Sequence, residues 1–274
     1  MPRETRPLYD ENAAEALRER ERARKRQDRE KFELLDANIP PCRRLVDIGC
    51  GWGQLLARVR GRVREPWGVD ESPDRVRDVR QVCPEAKVVV CRAERLELPD
   101  GYFDVAVMSQ MLHEVALFGE PGALETVLGE VCRVLAPGGR CLLLDHAHAG
   151  EGDVAVRLPE RTLGRLAVFE EKYRYYDASH DDLGGGEVRI ARRTLQDFLT
   201  KDWSLGTPMQ SVEMNETHNV FRRAETLAAL GAAGLSEAAW TPFQDIGGDL
   251  DRAGGEWLEG ERWCRKFLCV ATKR

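Results

Sequence analysis

The chain has 274 residues and a mass of 30.9 kDa, which is enough for one large domain with a substantial core. Its 41 basic residues are outnumbered by 47 acidic ones, and the formal net charge is -6. A general nucleic-acid binder relies on basic surface to meet phosphate. The charge therefore argues against a nucleic-acid partner.

The cysteines and the N-terminus predict a cytoplasmic protein. The eight cysteines are spread out without C-x-x-C spacing, and several lie in apolar runs, so we expect buried thiols in a reducing compartment. Residues 1–10 are polar, unlike a signal peptide. No apolar run approaches the roughly 20 residues that cross a bilayer, so we expect no membrane association.

In chain order, the first predicted element is a helix at residues 12–35, rich in Ala, Leu, Glu, Arg and Lys and free of Gly and Pro. It is either a solvated helix or a lid over an active site. From residue 45 onward, short apolar runs alternate with helical spacing, as in a parallel α/β sheet. The predicted strands are residues 45–48, 66–69, 87–91, 105–109 and 140–145, and the predicted helices are residues 54–59, 73–82 and 124–135.

The alternation breaks after His148. Residues 150–215 carry mixed helix and loop signals and predict an inserted helical lid, with helices at 163–176 and 194–199 and an exposed turn at 181–186. A helix at 224–233, strands at 236–243 and 267–272 and an acidic loop at 245–260 complete the chain. We divide this single domain into a helical cap (1–40), a cofactor-binding core (41–149), a substrate-side insertion (150–218) and a C-terminal part of the core (219–274).

A glycine loop directly follows the first strand of the predicted sheet. Gly49, Gly51 and Gly53 allow backbone to pack close to a ligand at a helix N-terminus. Their G-x-G-x-G spacing ends one residue before the G-x-G-x-x-G of dinucleotide-binding loops, and a purely structural turn would also favour glycine. The next strand ends at Asp70, whose carboxylate can accept hydrogen bonds from ribose hydroxyls or cap a helix. Together, the loop and Asp70 favour the ribose role.

Five blocks resemble the class I S-adenosylmethionine-dependent methyltransferases of the small-molecule type, especially the ubiquinone and menaquinone C-methyltransferases. The blocks are residues 46–53, 68–72, 93–104, 109–113 and 134–140, in the family's order. The resemblance covers residues 44–145. It implies S-adenosylmethionine as cofactor and a Rossmann-like, doubly wound, seven-stranded α/β sheet whose last strand is antiparallel.

The resemblance also implies the cofactor-binding residues. These are Asp47, Gly49, Cys50, Gly51 and Gly53 at the methionine part, Asp70 and Glu71 at the ribose, Ala93 and Glu94 at the adenine, and Ser109 and Gln110 beside the methionyl portion. One residue departs from the family pattern: Arg92 stands where an acidic residue commonly precedes the alanine. An arginine cannot accept a hydrogen bond from the adenine amino group, so Glu94 or a backbone carbonyl would have to do so.

Candidate catalytic residues come from the histidines. Methyl transfer is an in-line displacement, so the main task is to hold the acceptor's lone pair behind the methyl group. A hydroxyl acceptor benefits from a base of near-neutral pKa, and His146 is the first candidate, followed by His218 and His113. His146 and His148 are spaced like a metal pair on a strand, but no third ligand accompanies them in the sequence, so we predict no metal site.

The aromatic and methionine side chains of the insertion form either its own core or a substrate pocket. Tyr173, Glu216 and His218 are the predicted substrate contacts. The sequence thus predicts methyl transfer to a small organic acceptor, at oxygen or nitrogen rather than carbon, by a monomer or homodimer. Three alternatives stay open: a methyltransferase of the same fold acting on RNA or protein, a non-catalytic cofactor-binding module, and a nicotinamide dehydrogenase.

Overall fold

The computed structural model describes residues 28–274. Helix α1 (Asp28–Asn38) includes the end of the predicted N-terminal helix, and the rest of that prediction lies outside the described residues. Within residues 28–274, no helix is long and apolar enough to cross a membrane. The eight cysteines are free thiols, of which Cys50, Cys83, Cys141 and Cys269 are buried.

Within the described residues, seven strands form one mixed sheet in the order β3-β2-β1-β4-β5-β11-β9, which we call the central sheet. They are β1 (Cys42–Ile48), β2 (Val63–Asp70), β3 (Lys87–Val90), β4 (Phe103–Ser109), β5 (Leu135–His146), β9 (Leu235–Asp245) and β11 (Cys264–Lys273). The last strand, β11, runs antiparallel to β5 and to β9, whereas β1 to β5 pair in parallel. The predicted doubly wound sheet with an antiparallel last strand is confirmed.

The strands of the central sheet are apolar because helices cover both of its faces. Successive side chains on a strand point to opposite faces, so Val46 and Ile48 pack into one core while Leu45 packs into the other. The main covering helices are α2 (Gln54–Arg58), α3 (Pro73–Val82), α4 (Leu112–Phe118), α5 (Ala123–Val134) and α9 (Arg223–Ala232). With both faces covered, ligands have access at the carboxyl edge of the parallel strands.

The insertion contains strands that the sequence did not reveal. Among the described residues, four strands form a second, antiparallel sheet in the order β10-β6-β8-β7. We call it the small sheet. Its strands are β6 (Asp153–Arg157), β7 (His180–Gly184), β8 (Glu187–Ala191) and β10 (Glu256–Glu259). The predicted turn at 181–186 is therefore part of the β7–β8 hairpin, and the predicted loop at 245–260 contains helix α10 (Ile246–Arg252) as well as β10. The prediction of a purely helical insertion was wrong because these strands have only four or five residues each and bury at most three of them.

Helices complete the insertion and connect it to the central sheet. They are α6 (Glu160–Lys172), α7 (Arg192–Lys201), a 3-10 turn (Asp202–Ser204) and α8 (Gln210–Glu213). Leu166, Phe169 and Phe198 pack with the small sheet in a separate core. The Gln196 amide of α7 donates to the carbonyls of Ala147 and His218 at 2.8 and 2.7 Å. These bonds hold α7 against the carboxyl end of β5.

Candidate active site

The glycine loop after β1 has a backbone that favours glycine at three positions. Gly49, Gly51 and Gly53 have φ angles of 72, 52 and 76°. A Cβ at Gly49 would come within 2.8 Å of the Met111 side chain, whereas one at Gly51 would meet nothing within 4 Å. The loop is tied to β2, because the Gly51 N–H donates to Asp70 Oδ2 at 2.9 Å.

A cleft opens beside this loop at the carboxyl edge of the central sheet. Its empty volume is about 750 Å³ including its mouth, within the range of small-molecule sites. Five predicted cofactor residues line it: Gly49, Asp70, Glu71, Ala93 and Glu94. The other predicted cofactor residues lie outside its lining: Asp47, Cys50, Gly51, Gly53, Ser109 and Gln110.

Sequence reasoning missed one wall of the cleft. Met111, Val115 and Phe118 line it from the start and the length of α4, and Arg75 lines it from α3. The i, i+4, i+7 spacing of the first three residues is the signal that would have identified an apolar helical wall. Arg75 lies three residues after the N-cap Ser72, and its guanidinium is 3.7 Å from Asp70 Oδ2.

The end of the cleft near Ala93 carries charges of both signs. Arg92, the departure from the family pattern, pairs with Glu94 at 2.7 Å. Glu71 also lines the cleft, and burial raises the pKa of its carboxyl group above the usual value. Because a carboxylate accepts several hydrogen bonds, Glu94 can hold Arg92 and still accept another donor.

Gln110 follows β4 in an unusual backbone conformation. Its φ of 56° is uncommon for a residue other than glycine and tends to persist only where the surroundings hold it. The side-chain oxygen accepts a hydrogen bond from Lys31 of α1 at 3.3 Å, and the amide nitrogen lies 3.5 Å from His146 Nε2. Gln110 therefore joins the N-terminal helix to the end of β5.

Asp47, near the end of β1, is buried. Burial raises the pKa of its carboxyl group to about 8, although the positive charge of Lys31 opposes the shift. A bound cation beside this carboxyl group would favour its charged form.

Three of the five histidines meet in what we call the histidine cluster: His113, His146 and His218. All are buried, with 6%, 2% and 3% of their surface exposed. The rings of His146 and His218 stack at 3.9 Å, and His113 meets His146 edge-on at 4.9 Å. His148 lies elsewhere, beside Arg222 at 2.9 Å and accepting from the Gly150 N–H. All three predicted catalytic histidines thus come together, whereas the sequence pair His146 and His148 does not.

The histidines of the cluster have opposite electrostatic surroundings. Burial disfavours charge on His113, but the Asp145 carboxylate at 2.7 Å outweighs burial and raises the pKa of His113 to about 9. Burial lowers the pKa of His146 well below its usual value, and the nearby positive charge of His113 lowers it further. Asp145 also accepts the backbone N–H groups of Leu112 and His113, which fixes the start of α4.

A buried ionic group borders the cluster. Lys201 Nζ of α7 lies 3.2 Å from Glu213 Oε2 and 3.4 Å from Glu216 Oε1. His218 Nε2 lies 3.9 and 4.0 Å from the same two oxygens. The predicted substrate residues Glu216 and His218 are therefore neighbours, and Lys201 and Glu213 join them without having been foreseen.

Tyr173, the third predicted substrate residue, reaches this region indirectly. Its hydroxyl group donates to Asp197 Oδ2 at 2.8 Å and lies 2.9 Å from the Glu216 carbonyl oxygen. The ring packs in the core of the insertion. In this arrangement Tyr173 orients the segment that carries Glu216 and His218.

Part of the sequence is similar to known methyltransferases. Residues 46–143 match a family described as a methyltransferase domain. Over 127 residues the chain is 31% identical to the ubiquinone/menaquinone biosynthesis C-methyltransferase UbiE of Burkholderia mallei, covering 44% of this chain and 50% of that protein. The chain thus spans about half the length of the curated relatives it matches.

Solved structures share the fold. An S-adenosylmethionine-dependent methyltransferase from Mesorhizobium loti gives a TM-score of 0.55 at 20% identity, over 88% of this chain and 96% of that one. A second, from Methanosarcina mazei, gives a TM-score of 0.51 at 17% identity, over 88% and 96% of the two chains.

The central sheet and its glycine loop define a class I methyltransferase domain. In this chain residues 46–143 match the methyltransferase domain, and the central sheet has the fold of S-adenosylmethionine-dependent methyltransferases. The predicted class and cofactor are confirmed.

Proposed function

We propose that this chain transfers the methyl group of S-adenosylmethionine to a small organic acceptor held between the cleft and the histidine cluster. Gln110 is the observation that carries the proposal, because it follows β4 at the cofactor edge and approaches His146 to 3.5 Å. Methyl transfer requires cofactor and acceptor to be held in line. A residue that joins the cofactor edge to a buried polar cluster is suited to the transfer point.

For the cofactor, we propose that Asp70 binds the ribose, with Glu71 beside it. Asp70 is 4% exposed, and its two oxygens accept the Gly51 and Ser72 N–H groups at 2.9 and 3.0 Å. The remaining lone pairs of the carboxylate suit ribose hydroxyls. Ala93 and Glu94 line the cleft where the adenine would lie.

At the methionyl end, we propose that Asp47 pairs with the positively charged amino group of the cofactor. Such a cation would offset the burial that raises the pKa of Asp47 to about 8. The loop residues Gly49, Cys50, Gly51 and Gly53 and the strand-end residues Ser109 and Gln110 would surround this part of the cofactor.

The acceptor side combines groups that contact Gln110 with groups that contact the histidine cluster. Lys31 comes from α1, and Glu213, Glu216 and His218 come from the end of the insertion. We propose that α1 and the insertion close the pocket and exclude water, which strengthens electrostatic interactions inside it.

For the acceptor atom, we propose oxygen or nitrogen. The imidazole nitrogens of His146, followed by His218 and His113, can interact with the hydroxyl or amine of an acceptor. Carbon is the second candidate, since the 31% identical relative is a C-methyltransferase.

Calorimetric titration with S-adenosylmethionine tests the cofactor site. Asp70→Ala should weaken binding by at least about 100-fold, because two hydrogen bonds to a charged group contribute about 1.5–3 kcal/mol each. Asp74→Ala is the matched control, since Asp74 lies on the adjacent helix with 59% of its side chain exposed. Wild-type affinity in a folded Asp70→Ala variant would contradict the assignment.

A further inference from the structure

The histidine cluster unites nitrogens from distant parts of the chain. His113 lies at the start of α4, His146 ends β5, and His218 follows α8. One nitrogen from each histidine can be chosen so that all three lie within 4.8 Å of one another. Three buried imidazoles at this spacing resemble the protein ligands of a transition-metal ion.

Two of these rings are already oriented by the groups behind them. His113 Nδ1 lies 2.7 Å from Asp145 Oδ1, and His218 Nδ1 lies 2.8 Å from Thr200 Oγ1. Metal-binding histidines usually have the second ring nitrogen held in this way by a carboxylate, carbonyl or similar group. The Nε2 atoms of His113 and His218 are thus the ones offered for coordination.

His146 supplies an independent observation. Its Nδ1 is buried and has no hydrogen-bond partner among residues 28–274. A buried polar atom without a partner costs free energy, so its retention calls for an explanation such as an ion or a water molecule.

Carboxylates complete the donor set. Glu213, Glu216 and His218 form a second group whose ligand atoms lie within 4.8 Å of one another. Lys201 contacts both carboxylates, at 3.2 and 3.4 Å, and its single positive charge offsets only one of them. Both carboxylates also lie about 4 Å from His218 Nε2, at 3.9 and 4.0 Å, so an oxygen ligand is within reach of the imidazoles.

We propose that His113, His146 and His218, with Glu213 or Glu216 as a fourth ligand, form a binding site for a divalent transition-metal ion such as Zn²⁺. Imidazole nitrogens with one carboxylate oxygen suit zinc and its neighbours in the first transition row. The rings of His146 and His218 are stacked with an interplanar angle of 9°, so metal binding would require one of them to rotate until both lone pairs point at the ion. The sequence concealed the site because its third ligand is not His148 but comes from His218.

If the chain transfers methyl groups as proposed, a metal ion at this site would also restrict which class of acceptor it uses. Gln110 lies 3.5 Å from His146, so the ion would sit at the acceptor side of the transfer point. A hydroxyl oxygen of the acceptor bound to the ion would lose its proton more readily, and the carboxylate of Glu213 or Glu216 that is not a ligand could receive it. The preferred acceptors would then be hydroxyl compounds that bind the ion through one oxygen, as a fifth ligand or in place of the carboxylate.

Zinc titration of the full chain, freed of metal by a chelator and measured without S-adenosylmethionine, tests the site. We expect one Zn²⁺ per chain and at least a 100-fold loss of affinity in His146→Gln and in His218→Gln. Thr200→Val should lose about 10-fold or more, because it removes only the group that orients His218. His148→Gln is the matched control and should bind Zn²⁺ like the wild type.

Thermal unfolding of each variant confirms that it is folded before its affinity is compared. Absence of a stoichiometric Zn²⁺ site in the wild type, or equal affinity in folded His146→Gln, His218→Gln and His148→Gln, would overturn the proposal. Cofactor binding measured separately on the metal-free protein distinguishes the two hypotheses. If S-adenosylmethionine binds and Zn²⁺ does not, only the metal site fails.

Discussion

At the scale of single residues, Asp47 couples stability to pH. Its pKa is about 8 in the folded chain against a usual 3.8, because the carboxyl group is buried. Between these two values the folded chain keeps a proton that the unfolded chain releases, so the free energy of unfolding falls as pH rises. The contribution is fully present below about pH 4 and is lost by about pH 8.

Asp47→Asn removes this ionisation with little change of shape. Relative to the wild type, the variant should gain stability progressively from pH 5 to pH 8, and a gain of 1 kcal/mol would raise Tm by about 2–4 °C. Its affinity for S-adenosylmethionine should fall, since the variant lacks the carboxylate that we propose as the partner of the cofactor's amino group. Thermal unfolding across this pH range measures the effect, with the exposed Asp153→Asn as control. If Tm changed with pH by the same amount in the wild type and in Asp47→Asn, the pH dependence would not come from Asp47.

Gln110 is a residue whose position, but not whose contacts, could be predicted from the sequence. Its place after β4 was predictable from the family resemblance, but its left-handed backbone and its contacts with Lys31 and His146 were not. Those contacts join segments whose proximity depends on the packing of α1 against the sheet and on the pairing of β4 with β5.

At the scale of elements, α7 organises the segment around His218 through one buried carboxylate, that of Asp197. Asp197 Oδ2 accepts hydrogen bonds from the hydroxyls of Tyr173, Tyr176 and Thr217 at 2.8, 2.9 and 2.7 Å. Asp197 Oδ1 accepts the His218 N–H at 2.6 Å. The side chain therefore links α6 and α7 to the segment that ends in His218.

Asp197→Ala should destabilise the chain by at least about 3 kcal/mol, because it leaves several buried donors without an acceptor. Denaturant unfolding measures the loss. Asp181→Ala, on the exposed strand β7, should change stability by less than about 0.5 kcal/mol. Similar stabilities of the two variants would show that Asp197 does not organise this region.

Which elements were predictable follows from their burial. The inner strands of the central sheet contain apolar runs because both faces are covered, and the predicted strands overlap all seven observed ones, including the partly exposed edge strand β9. In β8 only the alternate residues Val188 and Ile190 are buried, and in β6 the buried run is the three residues Val154, Ala155 and Val156. Such short apolar stretches among charged residues resemble loops, so the small sheet was missed.

At the scale of the whole molecule, the fold places the cleft and the histidine cluster at the same carboxyl edge of the central sheet. Motif order predicted the cleft, since the glycine loop, Asp70 and Ala93 follow successive strands whose carboxyl ends meet. The histidine cluster was predictable only as separate candidates. His113, His146 and His218 become neighbours because α7 holds the end of the insertion against β5, a tertiary contact that no local pattern encodes.

Transfer of a labelled methyl group from S-adenosylmethionine to a panel of small phenols, chelating hydroxyl compounds, amines and carboxylic acids is the most direct test of the central claim. The purified chain should label at least one such acceptor. Asp70→Ala should abolish labelling at limiting cofactor, and His146→Ala should slow it by about 100-fold or more. Labelling that is equal in wild type and both folded variants, or absent across the panel despite tight cofactor binding, would contradict the proposed small-molecule methyl transfer.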